Sequence, residues 1–395
     1  MLHARLAVLA LVLFVPGFVV GESATTGPWD VKALQTTPIK PEWGTDNGKV
    51  REVFYSGEPF KGKPTRVFAY YAKPAGEGPF PAVVLVHGGG GKAFNAWAEH
   101  WAARGYCALA MDLAGNGPTG RLADGGPDQS DDTKFGEFDD KTVRDMWTYH
   151  AVAAVLRSHT LLASFPEVDK DRAAVTGISW GGYLTCIVAG LDHRFKAAVP
   201  VYGCGFLHDN SVWKPRLDGF PAGRRDQWVK TFDPSIYLPG VKCPILFLNG
   251  TNDFAYPLDS YRKCFELVKA PKTLSIHERL PHGHIWTFSE VDAFIDSHIK
   301  KGTKLPTISA MTVKGDTASA SVTGELKSAN LHFAIASGPW PKREWKPRAA
   351  ELTESKTSAT IPADRPIVFY LSVTDERGLT VSTPHMEIAG DTGKK

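Results

Sequence analysis

Residues 174–185 read AVTGISWGGYLT and set Ser179 between Gly177 and Gly181, after an apolar run and before an apolar stretch of helical character. A serine hydroxyl is a weak nucleophile unless a base takes its proton, and that base in turn needs a carboxylate to orient it. The spacing G-x-S-x-G suits a sharp strand-to-helix bend on which the serine is held at a strained backbone angle. Side chains two residues away on either side would collide at such a bend, so glycine is needed at both places.

The other groups that this chemistry needs should follow the serine in the chain. The segment CPILFLNGTNDFAYP ends an apolar strand, and Asp253 is its only carboxylate. The segment TLSIHERLPHGHIW ends the next strand with His282 and His284. The order Ser179, Asp253, His284 fits a nucleophile, acid and base brought in by successive loops. His284 is preferred over His282 because Gly283 before it permits a tight turn. Donors for a developing oxyanion are expected from the N–H of Trp180 and from the run HGGGG at 87–91, with Gly89 and Gly90 as candidates. His87 reads as structural. The glycine run lacks the Lys-Ser/Thr ending of a phosphate-binding loop and the spacing of a dinucleotide fingerprint.

Positioning these residues requires a scaffold. From Phe80 to about Lys300, short runs rich in Val, Ile and Leu alternate with helical stretches, which indicates a parallel sheet covered on both faces. Residues 50–72 read as two antiparallel edge strands. Beyond about Thr303 the helical period ends and short alternating strands take over, as in a β-sandwich. The expected organisation is a leader at 1–21, an α/β catalytic domain at 22–302 and a β-sandwich at 303–395.

With these residues in view, VLVHGGGG, RGYCALAMDLAGNG, PEVDKDRAAVTGISWGGYLT, PILFLNGTNDFAYP and LPHGH resemble the successive landmarks of the α/β-hydrolase superfamily. Within it the chain is similar to the branch of acetyl xylan esterases, dienelactone hydrolase-like proteins and prolyl oligopeptidase catalytic domains, over about residues 50–300. The resemblance implies an α/β-hydrolase fold, with Ser179 as nucleophile, Asp253 as acid and His284 as base. Dienelactone hydrolases proper use a cysteine nucleophile; Ser179 stands in its place here and favours ester cleavage. The C-terminal strands resemble an immunoglobulin-like accessory domain.

Composition narrows the partners. The 395 residues carry a net charge of +3 with no block of Lys or Arg, so nucleic acid is a poor candidate. The start, MLHARLAVLALVLFVPGFVVGES, has the layout of a secretory signal peptide cut near Gly21, which predicts a secreted or periplasmic protein with no membrane span after cleavage. Five cysteines lie mostly in apolar runs, as buried free thiols would. No cofactor is expected, and no metal: the acidic run 128–140 lacks the spacing of a calcium loop. Eleven tryptophans can stack on sugars; Trp286, Trp213 and Trp228 are the candidates for substrate contact, which makes a small-molecule or carbohydrate ester the expected substrate. Two other readings compete. A prolyl oligopeptidase-like peptidase suffers from having too few residues before Phe80 for a gating propeller, and a non-catalytic binding protein on this scaffold would not need Ser179, Asp253 and His284 together.

Overall fold

The computed structural model describes residues 25–286 and 288–390. The expected leader at 1–21 lies outside them. Nine strands build the main sheet: β1 (Glu42–Asp46), β2 (Arg51–Ser56), β3 (Arg66–Ala72), β4 (Phe80–Val86), β5 (Cys107–Met111), β6 (Val168–Ile178), β7 (Ala197–Val201), β8 (Ile245–Gly250) and β9 (Lys272–His277). Their spatial order is β1-β2-β3-β5-β4-β6-β7-β8-β9. The first three strands form an antiparallel meander joined to β5, and from β5 onward every neighbouring pair is parallel.

The central strands are apolar throughout because both of their faces are covered. Along β4, Ala82, Val84 and Val86 join one core cluster while Val83 and Leu85 join the cluster on the opposite face. This is the two-residue period of a strand read on a sheet with two buried sides. The helix Trp147–Leu162 packs into the first cluster and is buried on nearly every position, so its sequence shows no polar stripe. The helices Asn95–Ala103 and Ser289–Ile299 contribute Trp97, Trp101, Phe294 and Ile295 to the second. Among the described residues, no helix is long and apolar enough to cross a membrane.

After Leu305 the chain forms two antiparallel sheets. One centres on Thr317–Thr323 and Lys356–Thr360, the other on Leu326–Ile335 and Ile367–Asp375. Their inner faces meet through Ala318, Ala320, Leu331, Phe369 and Leu371, which makes a β-sandwich. The sandwich docks on the β9 edge of the main sheet. Ser275 Oγ donates to the Thr380 carbonyl at 2.7 Å, and the Ile276 amide donates to Ser382 Oγ at 3.1 Å. His332 reaches back to Glu278 Oε1 at 2.5 Å and to Ser372 Oγ at 2.8 Å, which satisfies both ring nitrogens.

Candidate active site

Ser179 immediately follows β6 and is the N-cap of the helix Trp180–Leu191. Its backbone takes φ 55° and ψ −121°, a conformation that L-residues rarely adopt. The amide of Ser179 donates to the Val201 carbonyl at 3.0 Å, tying the bend to β7. Both flanking glycines are sterically required. A Cβ on Gly177 would stand 2.4 Å from the Gly181 carbonyl oxygen, and one on Gly181 would stand 2.0 Å from the Val86 carbonyl oxygen. A third glycine escaped the sequence reading: a Cβ on Gly203, just past β7, would stand 2.1 Å from the Ser179 carbonyl oxygen. Its signal was a glycine closing an apolar strand, which is common enough to pass unnoticed.

Asp253 sits three residues past β8 and is buried. Its Oδ1 accepts from the amides of Ala255 and Tyr256 at 2.9 and 2.7 Å, while Oδ2 accepts from His282 Nδ1 at 2.7 Å. His282 Nε2 meets Ser179 Oγ at 2.9 Å. Nδ1 of His282 therefore carries the proton and Nε2 is free to accept the serine's. The expected base, His284, is corrected on this point. His284 turns away from Asp253 toward Phe94 and Trp286, with ring centroids 5.1 and 5.9 Å apart. Burial, and then the neighbouring His282, lower its pKa.

The glycine run lies beside the nucleophile. A Cβ on Gly88 would stand 3.0 Å from Ser179 Cβ, and one on Gly89 would stand 2.8 Å from the Trp180 indole Cδ1. Gly90 is corrected as an oxyanion donor, because its N–H already donates to Gln129 Oε1 at 2.9 Å. Gln129 was not anticipated; its own Nε2 is buried and has no partner among the described residues. His87 is structural, as expected: Nε2 accepts from the Leu113 amide at 2.9 Å and Nδ1 donates to the Gly88 carbonyl at 2.7 Å. It pins the start of the glycine loop to the end of β5. Trp180 is the first residue of its helix, so its N–H has no intrahelical acceptor.

The three candidate tryptophans divide. Trp213 packs on Trp180 at 4.6 Å and on Tyr256 at 5.1 Å, so it stands against both the residue after the nucleophile and the loop of the acid. Trp286 belongs to a group with Phe94 and Trp97 at 4.2 and 4.9 Å, beside His284. Trp228 is corrected: it is wholly buried, its Nε1 donates to the Lys134 carbonyl at 2.8 Å, and it can touch no substrate. Lys134, which the sequence reading passed over, buries its side chain with Nζ 5.1 Å from the Trp180 ring centroid and 5.6 Å from that of Trp147. Burial lowers its pKa, and cation–π attraction to the two indoles offsets part of that cost. In the acidic run, Asp128 and Asp139 accept from local amides and hydroxyls and so serve as turn caps.

The family described as "Acetyl xylan esterase (AXE1)" matches residues 31–215, and the family "PhoPQ-activated pathogenicity-related protein" matches residues 222–337. Two solved structures align over most of their length. Acetyl xylan esterase 1 of a Thermoanaerobacterium species is 21% identical with a TM-score of 0.55, covering 66% of this chain and 88% of its own. The acetyl xylan esterase of a Paenibacillus species is 21% identical with a TM-score of 0.53, covering 68% and 92%. The fold is the α/β-hydrolase fold. Within that superfamily the chain resembles the acetyl xylan esterase branch. The chain is also 25% identical to the acetyl esterase Axe7A of Xylanibacter ruminicola over 251 residues, covering 57% of this chain and 54% of that one. It is 25% identical to the uncharacterized peptidase YuxL of Bacillus subtilis over 214 residues, covering 50% and 30%. The chain thus spans between 30% and 54% of these relatives' length.

Proposed function

We propose that this protein is an exported serine esterase that cleaves carboxylic esters, acetyl esters of polysaccharides among them, through an acyl-enzyme. The observation that carries this reading is the continuous relay from Asp253 Oδ2 to His282 Nδ1 at 2.7 Å and from His282 Nε2 to Ser179 Oγ at 2.9 Å. Export rests on the signal-like N-terminal sequence, and the acetyl preference on the resemblance to acetyl esterases.

In the first half-reaction His282 Nε2 takes the proton from Ser179 Oγ as the oxygen attacks the ester carbonyl. Asp253 holds the resulting imidazolium in place. The N–H groups of Trp180 and Gly89 receive the oxyanion, with the positive end of the helix Trp180–Leu191 behind them. The intermediate collapses as His282 returns the proton to the departing alcohol, leaving the acyl group on Ser179. Water, deprotonated by His282, then releases the acid and restores the hydroxyl. Trp213, packed on Trp180, and Trp286, beside His284, would offer apolar faces to a sugar ring.

A panel of p-nitrophenyl esters and aminoacyl p-nitroanilides tests the reading, with the unsubstituted protein and Ser179→Ala side by side. Ester turnover that vanishes in Ser179→Ala supports it. Preference for the anilides would favour the peptidase alternative, and no turnover of either would favour a binding protein.

A further inference from the structure

A cleft of about 430 Å³ opens between the hydrolase region and the sandwich, on the two loops that also carry the acid and the base. Asn252, immediately before Asp253, lines it from one side, as does Arg279, three residues before His282. The segment Lys342, Glu344 and Trp345 closes it from the sandwich. Of the cations here, Arg343 is tied to Glu387 at 2.9 Å and stacked on Trp340 at 3.7 Å. Arg279 and Lys342 are exposed and have no carboxylate within ion-pair distance among the described residues. Of the acids, Glu278 is engaged by His332 at 2.5 Å, which leaves Glu344 at the exposed rim.

Two unpaired cations, one from the hydrolase region and one from the sandwich, thus line one cleft together with the half-buried Trp345, whose ring packs on Tyr370 at 5.3 Å. Arg279 holds φ 52° just past β9, a conformation that disfavours a side chain. A second depression of about 390 Å³ shares Lys342, Arg343 and Glu344 with this cleft and is lined otherwise by sandwich residues, among them Phe333 and Lys346. A guanidinium and an ammonium suit carboxylates, and an indole face suits the apolar face of a pyranose.

We propose that this inter-domain cleft binds a carboxylate-bearing glycan, a chain containing uronic acid residues, with Arg279 and Lys342 holding the carboxylates and Trp345 stacking on a ring. The purpose of that binding rests on the esterase reading: a chain held here keeps its ester groups at high local concentration beside Ser179. Binding itself does not depend on catalysis.

Affinity electrophoresis of the full chain carrying Ser179→Ala, in gels containing polygalacturonate or neutral xylan, tests the proposal. The expected result is retardation by polygalacturonate alone. Arg279→Gly, which also relieves the positive φ, and Lys342→Ala should each weaken retention about tenfold, as loss of a charge-assisted contact does. The charge-matched pair Lys314→Ala and Lys327→Ala, on exposed sandwich positions, should retain it. Thermal melting of every variant separates lost binding from lost fold. Equal mobility with and without polygalacturonate would overturn the proposal. So would equal loss in the control pair, or equally tight binding of single-stranded DNA. Turnover of p-nitrophenyl acetate by the unsubstituted protein is read separately; its absence would count against the esterase reading and leave the binding result standing.

Discussion

The phenol of Tyr202 holds the turn that carries His282. Its hydroxyl donates to the Gly283 carbonyl at 2.6 Å, and its ring lies 4.5 Å from the His282 imidazole. Tyr202 itself takes φ 31° at the end of β7, so one strained backbone position and one hydrogen bond fix the loop that follows β9. Removing the hydroxyl in Tyr202→Phe should leave the imidazole less well aimed at Ser179. The expected result is a drop in kcat of about fivefold, which corresponds to a net hydrogen bond of about 1 kcal/mol. KM for a small ester should change little. Steady-state kinetics on p-nitrophenyl acetate measure both.

The two histidines of the PHGH turn should separate cleanly. His282→Ala removes the group that lies between Asp253 and Ser179 and should lower kcat about a thousandfold or more. His284→Ala removes a ring packed on Phe94 and should cost less than about tenfold, as loss of an aromatic contact does. Asp253→Asn keeps the volume but favours the wrong imidazole tautomer, so it should fall between the two in residual rate.

The elbow glycines should show their steric demand as stability. Gly181→Ala forces a methyl to 2.0 Å from the Val86 carbonyl oxygen and should destabilise the fold severely, visible as a large fall in Tm or as loss of soluble protein. Gly90→Ala meets no atom within 4 Å and is opposed only by its φ of 66°, so it should cost about 1–2 kcal/mol.

Acid should unfold the protein in a predictable window. Burial pushes His150 down from the ordinary 6.5 to about 4 and His385 down to about 3. Below pH 6.5 the unfolded chain gains protons on these rings that the folded chain refuses. The stability that they contribute is therefore complete above pH 6.5 and is lost as the pH falls toward 4 and 3. The gap between the urea midpoints at pH 7.5 and pH 5 should narrow in His150→Gln.

The sheet, its order and the bend at Ser179 were legible because hydrophobic runs with helices between them leave few ways to build a doubly covered sheet, and because two glycines around a serine mark a steric constraint. Asp253 was legible as the one carboxylate at its strand end. The choice between His282 and His284 was not. It leaned on Gly283 as a turn-maker, yet a Cβ there would meet nothing within 4 Å, so glycine is not what shapes that turn. The shape comes from Tyr202, some eighty residues earlier in the chain, and no local pattern announces such a contact. Trp228 failed for a similar reason. A tryptophan in a loop-rich segment reads alike whether it faces a substrate or, as here, fills a core beneath Phe135. All five cysteines are free and buried, in keeping with their apolar surroundings in the sequence.

The central claim is that Ser179 is activated by His282. Labelling with a fluorophosphonate, followed by mass spectrometry of the peptide containing residue 179, tests it most directly. Rapid modification at Ser179 in the unsubstituted protein and in His284→Ala, with almost none in His282→Ala, is the predicted result. Undiminished labelling of His282→Ala, or a label carried on another residue, would contradict it.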